Sequence, residues 1–295
     1  MLRITSTYYK YLAFFRVFLA LHILKKYLFY FPVINEVLGE DALVGKTSDY
    51  LLHFFNISNS HATIVLTMLL VTAILMLFGI GKNITIIVVY VLVEIAQRLN
   101  GYILNGGDNF MKFLLIYMIF ANSFTRLTLF KSSEECKPNT ISFLLNNLSV
   151  LSIKIHLCLV YFISGLFKIN SKVWFNGVAT YYTLSLERFS GSSINKILVQ
   201  NGLFVTISTY VTMYWEIFFP ALVWQKALKY WMLGIGVLMH VGIYFLMMIH
   251  DFEIIFVATY GFFISDAEWI AIGEKLSKFA AYRKLKMQLN KLRFE

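Results

Sequence analysis

Eight apolar runs, each close to the length of a membrane-spanning helix, constrain the fold more than any other feature of this sequence. They lie at about 11–31, 62–80, 84–103, 109–128, 149–169, 203–225, 230–249 and 252–265. A helix of about 20 apolar residues crosses the hydrocarbon core of a bilayer because all its backbone hydrogen bonds are internal. The pattern predicts an all-α, multi-pass protein of the cell membrane, with a bundle of about eight transmembrane helices.

The composition agrees with a membrane protein. Hydrophobic residues make up 59% of the chain and charged residues 14%, whereas a soluble domain carries about 25% charged residues. A net charge of +10 could indicate a nucleic-acid partner. The excess of Lys and Arg, however, lies in alternate links between the apolar runs and in the C-terminal tail. We therefore expect membrane lipids, and no nucleic acid, as partners of these residues.

The distribution of charge predicts an orientation. Basic residues occupy the second, fourth and sixth links, at Lys82, Lys137 and Lys226, while the first and seventh links carry acidic residues. Cytoplasmic links are the basic ones in membrane proteins, so both termini are predicted to be cytoplasmic. The chain then divides into a transmembrane bundle at 1–266 and a basic amphipathic cytoplasmic tail at 267–295.

The stretch Tyr161–Gly177, with the sequence YFISGLFKINSKVWFNG, places a lysine at the end of the fifth run. In a helix, Tyr161, Ser164, Gly165 and Lys168 share one face, because they follow the spacing i, i+3, i+4, i+7. An ionisable group inside a membrane segment is a functional-site hypothesis, since it is costly to bury unpaired. The alternative is that Lys168 reaches the nearer interface and only anchors the helix end.

Other polar residues inside the apolar runs are expected to point inward and to pair. Glu216 is the carboxylate of the sixth run and could neutralise Arg16 or Lys168. An Arg16–Glu216 pair that only fixes the positions of helices is an equal alternative to a catalytic role. His240 lies in the middle of the seventh run between small glycines, which let a helix or a ligand approach closely. A buried histidine bonded to a carbonyl group would explain it equally well.

Two links on the predicted extracytoplasmic side carry further candidates. Asn105-Gly106-Gly107-Asp108 is typical of a tight turn with an aspartate at the helix N-cap. Trp174 follows Lys168, and an interfacial tryptophan is its simplest explanation. The sequence contains no HExxH motif, no clustered Cys and His residues, no P-loop, no GxGxxG and no GxSxG. Metal-dependent hydrolysis, nucleotide hydrolysis and serine hydrolysis therefore have no sequence support, and we expect no metal.

The stretch around Lys168 resembles the signature of the HTTM family, the membrane domain shared with the vitamin K-dependent gamma-carboxylase. Further similarities occur in the family's order and cover nearly the whole chain. They are Arg16 in FFRVFLALHIL, the Phe78-Gly79-Ile80 and Gly106-Gly107-Asp108 turns, Glu216 and Pro220 in WEIFFP, and His240 before a phenylalanine-rich last helix.

The resemblance implies a reduced quinone, a vitamin K-type hydroquinone, as cofactor, and a catalytic pair of Lys168 and His240. In the carboxylase the matching lysine is the base that acts on the hydroquinone, and a glutamate side chain is carboxylated. Lysine acts as a base only as the free amine, which the apolar neighbours Ile163, Leu166, Phe167 and Ile169 would favour. The residues expected to contact or support the cofactor are Tyr161, Ser164, Trp174, Arg16, Glu216 and Asp108.

Two departures from the carboxylase shape the functional hypothesis. This chain has Phe167-Lys168 where the eukaryotic enzyme has two adjacent lysines, and we expect it to lack the large domain that follows the helices there. It looks more like the compact bacterial branch that includes SdpB-type proteins for maturation of secreted peptide toxins. We therefore expect a quinol-linked oxidoreductase or modifying enzyme that acts on a secreted peptide, aided by a separate substrate-recognition protein. The alternatives are a non-catalytic partner in the maturation, export or immunity of such a peptide, and, third, a transporter.

Overall fold

A computed structural model describes residues 7–42, 50–130, 132–189 and 192–291, with side chains described up to 278. In these ranges the chain forms helices and turns, and no β-strand. The helices are α1 Tyr9–Tyr30, α2 Ile34–Val37, α3 Tyr50–Phe54, α4 Ala62–Phe78, α5 Lys82–Leu99, α6 Gly106–Phe120, α7 Ile141–Ile169, α8 Lys172–Phe175, α9 Ala179–Ser185, α10 Ile194–Gln200, α11 Gly202–Leu222, α12 Lys229–Met247, α13 His250–Tyr260 and α14 Asp266–Lys291. The predicted all-α fold is confirmed.

Four helical segments of the described chain are long and apolar enough to cross a membrane. They are Tyr9–Val37, Asn59–Phe78, Ile141–Ile169 and Lys229–Met247. A fifth would be the pair His250–Phe263 and Asp266–Lys278, whose two halves are bent by 101°. Every one of the eight predicted apolar runs contains a helix, but α6 and α13 have only 15 and 11 residues. Length and composition therefore support a helical membrane protein with four to five candidate spans.

The structure corrects two predicted boundaries. The fifth run was predicted to start at 149, but α7 begins at Ile141, because the Thr140 side chain accepts a hydrogen bond from the Phe143 amide at 3.2 Å. The fourth run was predicted to continue to 128, but α6 ends at Phe120. Residues 121–130 are irregular, and two of their carbonyl groups accept hydrogen bonds from the Arg16 guanidinium.

Packing between neighbouring helices brings the candidate residues together. α7 lies along α11, α12 packs on α13, and α1 packs on α4. The α7–α11 contact is close at Gly165, where an added Cβ would lie 2.6 Å from Ile217 Cγ1 and 3.1 Å from its backbone nitrogen. Small residues permit such close approach of membrane helices. The contact sets Lys168, one turn beyond Gly165, opposite Glu216.

Replacing Gly165 with Ala is expected to destabilise the protein by about 1–3 kcal/mol, because the new methyl group overpacks the α7–α11 contact. Thermal unfolding in detergent would measure the change. Gly234→Ala is the matched control, since a Cβ at Gly234 in α12 meets nothing within 4 Å and Ala favours a helix by about 0.5–1 kcal/mol over Gly. Equal melting temperatures for the two variants would contradict the close contact.

The C-terminal helix α14 is attached to the start of the bundle. The Asp266 carboxylate accepts hydrogen bonds from the backbone amides of Lys10 and Tyr11, at 3.1 and 3.3 Å. The Trp269 ring stacks on Tyr11 with a centroid distance of 5.5 Å. These contacts hold the first turn of α14 against the first turn of α1. The amphipathic, lipid-bound character of the tail stays a prediction.

Candidate functional site

Lys168 and Glu216 form an ion pair between α7 and α11. The Lys168 Nζ atom lies 2.7 Å from Glu216 Oε1 and 2.6 Å from Oε2, and it donates to Ser164 Oγ at 2.7 Å. The Trp174 ring centroid lies 5.0 Å from the same nitrogen. The two charged side chains are only 18% and 10% exposed. The ammonium group therefore has a bidentate carboxylate, a hydroxyl and an aromatic face as partners.

Local structure fixes each member of this group. Ser164 lies one helical turn before Lys168, so the two side chains meet on one face of α7. Trp174 belongs to the short helix α8, whose Phe175 carbonyl accepts a hydrogen bond from Tyr210 Oη at 2.8 Å. Gly177 ends that turn with φ of +72°, and a Cβ there would lie 3.0 Å from the Tyr210 ring. Position 177 therefore requires glycine for two reasons, the positive φ angle and the close approach of the Tyr210 ring.

A second group connects Tyr161, His240, Glu253 and Tyr260 inside the bundle. Tyr161 Oη lies 2.7 Å from His240 Nε2 and 2.6 Å from Tyr260 Oη. Glu253 is hydrogen-bonded to His240 Nδ1. All four side chains are buried. If Nδ1 donates to Glu253, Nε2 can accept from Tyr161, and the Tyr161 oxygen can in turn accept from Tyr260.

The two groups share helix α7, on which they lie about two turns apart. Tyr161 lies seven residues before Lys168 on α7, about 10 Å along the axis. On α11 the Trp215 ring contacts Tyr161 at a centroid distance of 4.9 Å, and Glu216 follows it directly. Tyr161 and His240 both lie close enough to Glu216 to interact with it electrostatically. The arrangement can hold protons at several neighbouring oxygen and nitrogen atoms within an apolar bundle.

An open apolar groove lies along the outer face of α7 and approaches the Lys168 group through Ser164. It has a volume of about 520 Å³ and is lined by His156, Leu159, Val160, Ile163, Ser164 and Phe167. The side chains of Leu159, Ile163 and Phe167 are 50%, 49% and 75% exposed, so the groove is open along its length. At the end nearer Lys168 its polar group is the Ser164 hydroxyl, which accepts a hydrogen bond from Lys168; at the other end it is the His156 imidazole.

Of the two cations expected as partners of Glu216, Lys168 pairs with it and Arg16 does not; the expected Arg16–Glu216 support pair is not formed. Its guanidinium donates to the carbonyl groups of Met76, Arg126 and Leu127, at 2.9, 3.3 and 2.5 Å. The guanidinium also lies 4.7 Å from the Phe124 ring centroid. The Arg16 guanidinium is close to carbonyl groups at the end of α4 and in the irregular 121–130 segment. Glu216 instead forms its ion pair with Lys168. Arg16 thus contacts none of the Lys168 group in the described chain.

Asp108 belongs to a third group, away from Lys168. It forms a buried ion pair with Lys26, whose side chain is 4% exposed. The residue at the N-cap of α6 is Asn105, not Asp108 as expected, and the two form a capping box in which Asp108 Oδ2 accepts from the Asn105 amide at 2.9 Å. In the described residues, Asp108 has no hydrogen bond or ion pair with Lys168 or Glu216.

Sequence reasoning missed two members of the second group. Glu253 was assigned to an acidic link, but it lies in the first turn of α13 and is 2% exposed. The rule that singled out Glu216 would have found it, because Glu253 falls inside the apolar run 252–265. Tyr260 carries no comparable signal, since the chain has 18 tyrosines and nothing in its neighbourhood distinguishes it.

No family model matches this chain, and no curated protein or solved structure matches it either. Among the described residues, no group of three or more His, Cys, Asp or Glu side chains is placed to hold a metal ion. The geometry of the Lys168 and His240 groups is therefore the main structural indication of function.

Proposed function

We propose that this protein is a membrane-embedded enzyme of the HTTM family that moves a proton at a reduced quinone in order to modify a secreted peptide. The observation that carries the proposal is the Lys168–Glu216 pair at the polar end of an open apolar groove. A charged pair is costly to bury, so its position beside a groove favours a chemical role over a packing role. The resemblance of the sequence to the HTTM signature supports the same assignment.

The proposed cofactor fits the residues at this end of the groove. The walls Leu159, Val160, Ile163 and Phe167 would hold an apolar ring and chain, and Ser164 and Lys168 would bind a ring oxygen. Trp174 lies against the Lys168 ammonium and would cover the ring edge. When bound, a hydroquinone supplies two ionisable hydroxyl groups and two electrons. Arg16 and Asp108 do not belong to this site, because their partners lie elsewhere.

The chain's own residues would transfer and hold protons. Glu216 can accept a proton from Lys168, which leaves Lys168 as a free amine within reach of the groove. His240 can hold a proton at Nε2 while Glu253 neutralises the imidazolium through Nδ1. Tyr161 lies between Tyr260 and His240 and would orient the imidazole. The apolar surroundings exclude water, which strengthens each of these interactions.

We further propose that the helices of all eight apolar runs cross the membrane, including the shorter α6 and α13, with both termini in the cytoplasm. The α5–α6 link at 100–105 would then be extracytoplasmic, and the Lys226 link between α11 and α12 cytoplasmic. With Cys136 and Cys158 replaced by Ser, a single cysteine at Asn105 is expected to react with an impermeant maleimide in intact cells. A cysteine at Lys226 is expected to react only after permeabilisation. The reverse pattern would overturn the orientation.

The function is tested by extracting quinone from the purified protein. The wild type is expected to retain a quinone, and the double variant Lys168→Met/Glu216→Leu is expected to lose it, because the polar end of the groove is gone while no charge is left unpaired. Lys172→Met is the matched control, since Lys172 is exposed and lies one turn away. Liquid chromatography of the lipid extract measures the quinone. A wild type without quinone would overturn the proposed cofactor.

The second candidate is a non-catalytic partner of a secreted peptide. It is favoured by one observation: Lys168, Glu216, His240 and Glu253 all have hydrogen-bonding partners, so each is satisfied without a ligand. If the protein is such a partner, the Lys168 group and the His240 group only fix the positions of the helices. Retention of peptide maturation or immunity by the double variant in cells would favour it over the enzyme.

A further inference from the structure

A buried lysine in the middle of α7, Lys154, has no acidic partner in the described chain. The Lys154 ammonium donates to no carboxylate in the described chain. It donates to Tyr8 Oη at 2.8 Å and lies over the Tyr8 and Phe263 rings, with centroid distances of 4.1 and 5.9 Å. The residue is only 8% exposed. Aromatic faces attract a cation but carry no net charge that could neutralise it. The positive charge of Lys154 is therefore uncompensated.

The acidic side chains near Lys154 have other partners. Glu268 pairs with Lys229 and also accepts hydrogen bonds from Tyr230 Oη at 3.0 Å and from the Ser265 amide at 2.8 Å. The Asp266 carboxylate binds the first amides of α1. Lys229 repels the Lys154 ammonium while Glu268 attracts it. In the described chain, therefore, neither carboxylate forms an ion pair with Lys154.

The cluster lies where a membrane interface is expected. It is built from the start of α1, the start of α12, the start of α14 and the turn after α13, and exposed aromatic residues of the α11–α12 region lie around it. Trp224, Tyr230 and Trp231 are 46%, 47% and 72% exposed. Aromatic residues concentrate at the level of lipid headgroups. At the level of the lipid headgroups, the anion most available to contact the Lys154 ammonium is the phosphate group of a lipid.

We propose that Lys154, with Lys229 nearby, forms a binding site for the phosphate group of an anionic membrane lipid. A phosphate oxygen would accept the remaining N–H groups of Lys154 and neutralise the buried charge. Basic pockets between membrane helices bind anionic headgroups in this way. The site is separate from the Lys168 group and does not depend on the function proposed for it.

The proposal is tested on the purified full chain by lipid titration. Dioleoylphosphatidylglycerol is expected to bind and to raise the melting temperature, whereas dioleoylphosphatidylcholine and inorganic phosphate are not. Lys154→Gln is expected to weaken phosphatidylglycerol binding at least about fivefold, and Lys154→Arg is expected to retain it. Lys226→Gln is the matched control, because Lys226 is an exposed lysine of the same region and its loss is expected to leave the affinity unchanged.

Three results would overturn the proposal. Equal affinity of Lys154→Gln and the wild type would mean that the aromatic rings alone accommodate the ammonium. Equal stabilisation by inorganic phosphate would identify a soluble anion as the ligand. Equal retention of the two lipids by the wild type in native mass spectrometry would also overturn it, and this measurement needs no variant, so it decides the matter even if Lys154→Gln fails to fold.

Discussion

Replacing Lys168 with Met is expected to destabilise the protein by about 3–5 kcal/mol, because it leaves the Glu216 carboxylate buried without its partner. Glu216 is 10% exposed at its side chain, so water can replace little of the lost ion pair. Thermal unfolding in detergent would measure the change. Lys172→Met, on the exposed side of α8, is expected to change stability by no more than about 0.5 kcal/mol.

The double variant Lys168→Met/Glu216→Leu separates stability from function. Replacing both members of a buried ion pair with apolar residues of similar size is often neutral or stabilising, so this variant is expected to melt near the wild-type temperature. It is nevertheless expected to lose the bound quinone. A double variant as unstable as Lys168→Met would contradict the interpretation that the unpaired Glu216 charge causes the destabilisation.

Replacing Glu253 with Gln is expected to cost about 1.5–3 kcal/mol of stability, the usual contribution of a hydrogen bond to a charged group. The amide keeps the shape of the side chain but removes the carboxylate that His240 Nδ1 contacts. Histidine NMR of the labelled protein would follow the His240 ring. We expect the Nδ1 signal of His240 to move in the variant, because its charged hydrogen-bond partner is gone.

Asp251→Asn is the matched control for this experiment. Asp251 lies two residues before Glu253 on the same helix and pairs with Lys25, but the two side chains are 30% and 50% exposed. Exposed ion pairs contribute only about 0–1 kcal/mol, and Asp251→Asn should leave the His240 signal unchanged. If Glu253→Gln behaved like Asp251→Asn in both measurements, Glu253 would not position His240.

The sequence was sufficient to predict the helical class and the residues around Lys168, because both depend on local pattern. Apolar runs form helices in a membrane, and the i, i+4 spacing brings Ser164 to Lys168 without help from other segments. Glu216 was also identified, since it is an ionisable residue in an apolar run. Which cation it would meet could not be predicted, because Arg16 and Lys168 are equally compatible with its charge.

The partners that were missed depend on packing between distant segments. Arg16 is bound by carbonyl groups of the 121–130 segment, which the hydropathy pattern extended as helix to 128. Backbone carbonyl groups carry no sequence signature, so no pattern could have identified them as the ligands of an arginine. Glu253 was misplaced for a related reason. Its position next to His250 and Asp251 resembles a polar link, although it also falls inside the apolar run 252–265. The packing of α13 on α12 places its side chain inside the bundle.

The capping of α1 by Asp266 has a consequence for the order in which the protein is assembled. The amides of Lys10 and Tyr11 belong to α1, yet their acceptor is about 255 positions later in the chain. The Asp266 amide in turn donates to the Thr7 carbonyl at 3.0 Å. During synthesis the first turn of α1 therefore stays without these partners until Asp266 has been translated. The start of α1 reaches its final hydrogen bonding only after α13 has been made.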